Sequence, residues 1–112
     1  MTKPLPRAIR ISPEYGADCL WTDGTDPNWD VALQISDLPL PASLREDLMA
    51  WDDRYDQTYD RSNPAASGFE SDDEEIAFVE DGKSLATRLK AELPDIEWTY
   101  NDVRKNEVVE VR

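Results

Sequence analysis

The sequence predicts an α+β fold: a small, mainly antiparallel sheet of three to four strands with two antiparallel amphipathic helices packed on one face. Two observations predict it. Apolar residues recur at helical spacing over residues 41–59 and 71–93. Apolar and polar residues alternate in short runs near both ends of the chain, as in half-buried strands. The length of 112 residues fits a single domain over 1–112, with the proline-containing residues 1–6 as a loose lead-in.

Short strands are predicted at the start of the chain. Ile9 and Ile11 alternate with polar neighbours, which is typical of a half-buried strand. Residues 19–22 form a short apolar run bounded by turn residues, which favours a second strand. Alternation returns over residues 31–35, and this stretch is either extended along the sheet or an anchored loop.

The first helix is predicted over residues 41–59. Its apolar side chains recur at spacings that place them on one face of a helix. They are Leu44, Leu48, Trp51 and Tyr55. The loop of residues 60–70 contains proline and glycine, so it is not helical throughout. Phe69 is expected to anchor this loop to the core.

The second helix is predicted to begin after Ser71. Serine at the N-cap with Glu74 three residues later is a capping box. The acidic residues 72–75 suit the positive end of the helix dipole. Gly82 lies in the middle of the apolar stripe, where glycine costs about 1 kcal/mol relative to alanine. We therefore expect another backbone or a tryptophan ring to pack closely against it, and Pro94 to end the helix.

A hairpin is predicted at the C-terminus. Ile96, Trp98 and Tyr100 alternate with polar residues and share one face of a strand. Residues 101–107 supply a turn, and residues 108–111 form a last strand-prone run. The aromatic stripe of this hairpin is expected to share the core with the first helix.

The net charge of −13 is unevenly distributed along the chain. Residues 14–81 hold 19 acidic and three basic residues, a net charge of −16, whereas the remainder has a net charge of +3. Such a field repels nucleic acid and anionic membranes, opposes self-association and attracts basic proteins. We expect a basic protein partner, no direct contact with nucleic acid or membrane, and a monomer when free. The alternative is that the acidic surface serves only solubility.

The cellular location follows from residues near the N-terminus. Cys19 is the single cysteine, so no internal disulfide can form. It is expected to be a small buried apolar residue. Residues 1–6 lack the apolar segment of a signal peptide. The predicted location is the cytoplasm.

Catalytic chemistry has little basis in this composition. The chain contains no histidine, which removes the commonest general base and metal ligand. Its four glycines are isolated, so there is no phosphate-binding loop, and one cysteine cannot build a zinc site. Residues 72–75 are explained by helix capping. We predict no catalytic residue, no metal and no cofactor, with a small carboxylate-dependent enzyme as the remaining enzymatic alternative.

The middle of the chain carries a run of short motifs. They are Pro13-Glu14-Tyr15-Gly16, Leu38-Pro39-Leu40, Leu48-x-x-Trp51-x-x-x-Tyr55-Asp56-x-Thr58, Ser67-Gly68-Phe69, Glu74-Glu75 and Gly82-x-x-Leu85-Ala86-x-Arg88-Leu89. Over residues 13–93 the chain resembles the small acidic immunity proteins of bacterial polymorphic and contact-dependent inhibition toxin systems. The tail after Pro94 lies outside the resemblance. The resemblance implies a protein that binds and neutralises a cognate toxin domain, and a basic nuclease would suit the acidic surface.

The predicted partner-binding residues combine acids on the helices with one aromatic side chain. They are Asp52, Asp53, Asp56, Asp60, Asp72, Asp73 and Trp29. Trp29 is included because it lies in a turn-rich stretch, whereas Trp51 and Trp98 lie on apolar stripes. A second hypothesis uses the same surface as a nucleic-acid mimic that regulates a host DNA-binding protein.

Overall fold

The computed structural model describes residues 4–112. Its strands are β1 (Ala8–Ile11), β2 (Leu20–Trp21), β3 (Ala32–Leu33), β4 (Glu97–Asp102) and β5 (Glu107–Glu110), and its helices are α1 (Ala42–Asp56) and α2 (Asp72–Glu92). The α+β fold with two helices is confirmed. The prediction of three to four strands is wrong, because the described residues form five. The undercount comes from β3, because the sequence leaves residues 31–35 open between an extended segment and an anchored loop, whereas β2 lies within the strand predicted at residues 19–22.

The sheet is mixed, with strand order β3-β2-β1-β4-β5. β1 pairs with β4 in parallel, and the other three pairs are antiparallel. Residues 31–35 are predicted to be either extended along the sheet or an anchored loop, and they are partly each. Leu33 pairs with Leu20 in the sheet, and a short 3₁₀ turn follows at Ile35–Asp37. The parallel pair forms because the chain crosses through both helices before returning beside β1.

Both helices match their apolar stripes. α1 ends at Asp56, before the predicted residue 59, and the last turn is closed by hydrogen bonds from Thr58 N to Tyr55 O and from Tyr59 N to Asp56 O. α2 begins as predicted, because the Ser71 hydroxyl accepts a hydrogen bond from Glu74 N at 3.2 Å. The Glu74 carboxylate reaches back one residue further than in a capping box and accepts from Glu70 N.

The core lies between one face of the sheet and the two helices. Trp51 of α1 stacks on Phe78 of α2 with ring centroids 4.4 Å apart, and its indole N–H donates to the Phe78 carbonyl. The Tyr100 hydroxyl of β4 donates to the Val79 carbonyl. A methyl group at Gly82 would overlap both the Trp51 ring and the Tyr100 hydroxyl. The expected close packing at this glycine is therefore confirmed.

The helices are antiparallel, and ion pairs between them establish the register. Arg54 of α1 lies 2.7 Å from Asp81 of α2, and Arg88 of α2 lies 2.8 Å from Asp47 of α1. The end of α1 therefore adjoins the start of α2. A hydrogen bond of 2.6 Å between the hydroxyls of Tyr15 and Thr58 places the β1–β2 turn at the same end.

The strand directions define a second end of the molecule. Because β1 and β4 are parallel, the turns that follow them lie at one end of the sheet. The β2–β3 turn, residues 22–31, lies at the opposite end, together with the chain that enters β1 and β4. We call this the distal end.

Part of the predicted lead-in 1–6 packs against the distal end, and residues 1–3 lie outside the described part of the chain. Pro6 is fully buried. The Pro4 carbonyl accepts a hydrogen bond of 2.8 Å from the Trp29 indole. Within residues 4–112, neither helix is long and apolar enough to cross a membrane.

Candidate protein-interaction surface

Acidic residues from four separate segments meet where α1 ends and α2 begins. We call this the acidic end and define it as residues 14–18, 52–75 and 102–105. It holds twelve acidic and four basic residues, a net charge of −8. The positions in the fold thus concentrate more than half of the net charge of the chain on one end.

Three of the predicted carboxylates at this end are exposed and unpaired. They belong to Asp53 and Asp56 on the last turns of α1 and to Asp73 on the first turn of α2. Within residues 4–112, no lysine or arginine nitrogen lies within 4.0 Å of these carboxylates. The backbone amides near Asp53 and Asp56 are already bonded within α1, and no hydrogen bond within the described residues engages the Asp73 carboxylate, so the three side chains remain available to an external cation.

Asp60 and Asp72 are exposed as well but have partners inside the chain. The Asp60 carboxylate accepts hydrogen bonds from Ser62 N and Asn63 N and so shapes the loop between the helices. Asp72 lies 3.5 Å from Arg104 of the β4–β5 turn, which also approaches Glu75 at 3.2 Å. These two acids combine a structural contact with an exposed negative charge.

Asp52 does not belong to the exposed set. It is only 5% exposed, and its Oδ1 has no hydrogen-bond partner within the described part of the chain. Burial, together with the nearby charges of Asp56 and Asp18, raises its pKa to about 7. Its prediction as a surface contact is corrected. The sequence contained the relevant spacing, since Asp52 follows Leu44 and Leu48 at intervals of four.

Trp29 does not lie near the predicted acids. It belongs to the β2–β3 turn at the distal end and is half-buried against the core. The nearby Asp26 carboxylate accepts from Arg7 N and Asn28 N, which lowers its pKa. The structure therefore does not bring Trp29 together with the helical carboxylates. Its turn is held by its own side chains together with Arg7 and the Pro4 carbonyl.

Sequence reasoning missed the aromatic residues of the acidic end. Tyr15 from the β1–β2 turn stacks on Tyr55 of α1 with centroids 4.7 Å apart, and it meets Tyr59 at 5.1 Å. Tyr15 and Tyr59 remain 38% and 44% exposed. Tyr55 and Tyr59 are four residues apart, which indicates a shared helical face, but nothing local links them to Tyr15.

A cleft of about 710 Å³ adjoins this aromatic group. It lies between the end of α1, the interhelical loop and the start of α2, and its walls include Arg54, Tyr59, Phe69 and Glu74. Both charge signs and two aromatic rings therefore line one recess. Such a mixed lining suits a protein loop better than a small apolar ligand.

Two further observations concern metal and thiol chemistry. Within residues 4–112, no group of three or more acidic, histidine or cysteine side chains could hold a metal ion. Cys19 is fully buried, as predicted, and burial raises the pKa of its thiol well above the usual value. The thiol is thus a packed core group.

Comparison with known families identifies the chain. Residues 7–103 match the model of a family described as Serratia CdiI immunity protein-like. The chain belongs to this family. The match confirms the resemblance to contact-dependent inhibition immunity proteins and extends it at both ends beyond residues 13–93. In particular, the exclusion of everything after Pro94 is corrected, because the CdiI family match includes β4. Among curated proteins no match is found.

Proposed function

We propose that this CdiI-like protein binds and neutralises a cognate toxin whose active domain is basic, and that binding uses the acidic end. The observation that carries the proposal is the family match over residues 7–103. The concentration of negative charge at the end of α1 and the start of α2 supports the choice of surface.

A basic nuclease is the toxin class that this charge distribution suits best. A nuclease holds its substrate through phosphate contacts, so its active cleft carries positive potential. An acidic protein surface offers the complementary potential and accelerates association. Asp53, Asp56 and Asp73 project from helices that are already formed, so little conformational entropy is lost when they are bound.

The remaining features of the proposal follow from the immunity role. The chain acts by occupying the toxin and is itself non-enzymatic. It works as a free monomer in the cytoplasm, where an incoming toxin must be stopped. Its ligand is the toxin protein, with no direct contact to nucleic acid and no requirement for a metal or cofactor.

The test uses the C-terminal domain of a large toxin encoded beside this chain. We expect that domain to arrest growth when it is expressed alone, and co-expression of this chain to restore growth. With purified proteins we expect one-to-one binding by calorimetry, weakening as salt concentration rises. An unrelated acidic protein of equal net charge is the control and should neither bind with defined stoichiometry nor restore growth.

Two outcomes would contradict separate parts of the proposal. Absence of binding and of protection would reject the toxin-neutralising role for this partner. Protection from a toxin domain that leaves DNA and RNA intact would retain neutralisation and reject the nuclease assignment.

A further inference from the structure

The exposed tyrosines of the acidic end form a fixed aromatic platform. Tyr15 lies between Tyr55 and Tyr59, at centroid distances of 4.7 and 5.1 Å, with its ring inclined by 26° and 54° to theirs. Tyr55 in turn packs edge-on against Phe69, which lines the adjoining cleft. The exposed rings are therefore continuous with the aromatic core beneath them.

Hydrogen bonds hold the platform in place. The Thr58 hydroxyl donates to the Tyr55 carbonyl at 2.7 Å, so the Tyr15 hydroxyl donates to Thr58 at 2.6 Å. The turn that carries Tyr15 is closed by a bridge between Glu14 and Ala17. Because these rings are ordered before any partner arrives, binding to them costs little side-chain entropy.

Carboxylates surround the platform, and no cation of the described chain covers it. Glu14 adjoins Tyr15, and burial raises the pKa of the Tyr55 hydroxyl, with smaller contributions from Tyr15 and from the charges of Glu14 and Asp56. Within residues 4–112, the Arg54 guanidinium lies over an aromatic ring, and that ring belongs to Phe78, which is not part of the platform. The faces of Tyr15 and Tyr59 thus combine exposed π-surface with uncompensated negative charge.

We propose that this platform receives an arginine side chain of the toxin. The guanidinium stacks on the exposed faces of Tyr15 and Tyr59 and pairs with the carboxylate of Glu14 or Asp56. Arginine fits this role better than lysine, since its planar group can stack on a ring and bond a carboxylate with two parallel N–H groups. The inference rests on the proposed toxin-binding function and names the centre of that interface.

The first experiment compares Tyr59→Leu with Tyr59→Phe in binding to the neighbouring toxin domain. The leucine variant keeps apolar bulk without a π-face, and we expect its affinity to fall about tenfold or more. The phenylalanine variant keeps the ring and should bind within about threefold of the wild type. Val108→Ala, which shortens an exposed side chain on the far face of the sheet, is the matched control and should leave affinity unchanged.

The second experiment does not need the toxin. The backbone amide and aromatic ring resonances of the full chain are followed by NMR during titration with the peptide acetyl-Gly-Arg-Gly-Arg-Gly-amide and its lysine analogue. We expect the largest shifts at Tyr15 and Tyr59, larger with the arginine peptide than with the lysine peptide. Thermal melts of each variant identify any loss that comes from unfolding.

The outcomes separate the two proposals. If the wild type binds the toxin domain and Tyr59→Leu binds equally well, the platform is overturned and toxin binding stands. If the wild type does not bind, the proposed function fails, and the peptide titration decides whether the platform still recognises arginine. Peptide shifts centred on Asp73, or equal shifts with both peptides, would reject it.

Discussion

The two ends of the molecule use acidic residues in different ways. At the distal end, Asp23 accepts hydrogen bonds from the hydroxyl and backbone N–H of Thr25, and Asp26 accepts from the backbone N–H of Asn28; these bonds within the turn lower the pKa of both carboxyls. At the acidic end, Asp53 and Asp56 extend from a helix whose amides are bonded internally, and no cation of the described chain pairs with them. The local backbone therefore decides which acids remain available to a partner.

This difference changes how the total charge of the chain is interpreted. A carboxylate in a turn accepts hydrogen bonds from backbone N–H groups that have no other partner. A carboxylate in a helix interior has no such donor nearby. A count of acidic residues consequently overstates the binding surface. Under the proposed function, the acids expected to contact the toxin are those that combine exposure, rigid support and the lack of an internal partner.

The largest expected effect tests this comparison directly by charge reversal at each end. Asp53→Lys with Asp56→Lys should slow association with the toxin domain by roughly 100-fold at low salt, because the steering field is removed where it is strongest. Asp30→Lys with Asp95→Lys makes the same change in net charge at the distal end. Stopped-flow measurements over a range of salt concentrations give the association rates.

In the same low-salt buffer the distal pair should slow association by a clearly smaller factor than the pair at the acidic end. Near physiological salt, where screening limits the reach of charges to about 8 Å, the distal pair should slow association by only about threefold. Equal slowing by the two pairs would mean that total charge, and not the acidic end, governs recognition. Slowing by the distal pair alone would place the interface near Trp29.

The next largest effect concerns the core that supports both ends. Gly82→Ala forces a methyl group against Trp51 and Tyr100, and overpacking should exceed the gain in helix propensity. We expect a net loss of about 2 kcal/mol in the free energy of unfolding. Urea denaturation measures it, and Ser84→Ala, an exposed substitution in the same helix, should be neutral or slightly stabilising. Stabilisation by Gly82→Ala would contradict the close helix packing.

The smallest effect separates the buried acid from its exposed neighbours. The pKa of Asp52 is about 7 in the folded protein, above its ordinary value of 3.8. Between these pH values the Asp52 carboxyl is ionised in the unfolded state but remains protonated in the folded state. The stability of the wild type therefore falls as the pH rises from 4 to 7. Asp52→Asn removes this loss and should stabilise the protein by about 1 kcal/mol at pH 8, since its unpaired amide offsets part of the gain.

Urea denaturation at several pH values measures the difference between Asp52→Asn and the wild type. At pH 4 the variant should be less stable than the wild type, because only the cost of its unpaired amide acts there, and it should become the more stable protein as the pH rises above 7. Asp53→Asn, the adjacent exposed position, should show little change at any pH. A stabilisation by Asp52→Asn that is constant with pH would show that ionisation of Asp52 is not its cause.

Much of the local structure is predictable from short stretches of the chain. Ser71 and the acids that follow it predict the start of α2. The apolar residues of both helices recur at helical spacing and predict their buried faces. A glycine in the middle of an apolar helical stripe, Gly82, by itself predicts close packing at that position. The charge bias and the absence of histidine likewise need no structure to interpret. These features depend on residues a few positions apart, so sequence periodicity is sufficient to reveal them.

Only the tertiary structure decided how distant segments meet. The parallel pairing of β1 with β4 joins residues separated by both helices, and only the sheet shows that part of residues 31–35 is the strand β3. The burial of Asp52 depends on the β1–β2 turn packing against α1. The same contact brings Tyr15 to Tyr55 and Tyr59, whereas Trp29 is carried to the opposite end. The sequence by itself determined the helices and the uneven distribution of charge, and packing over long chain separations determined which acidic and aromatic residues share a surface, because no local preference encodes such contacts.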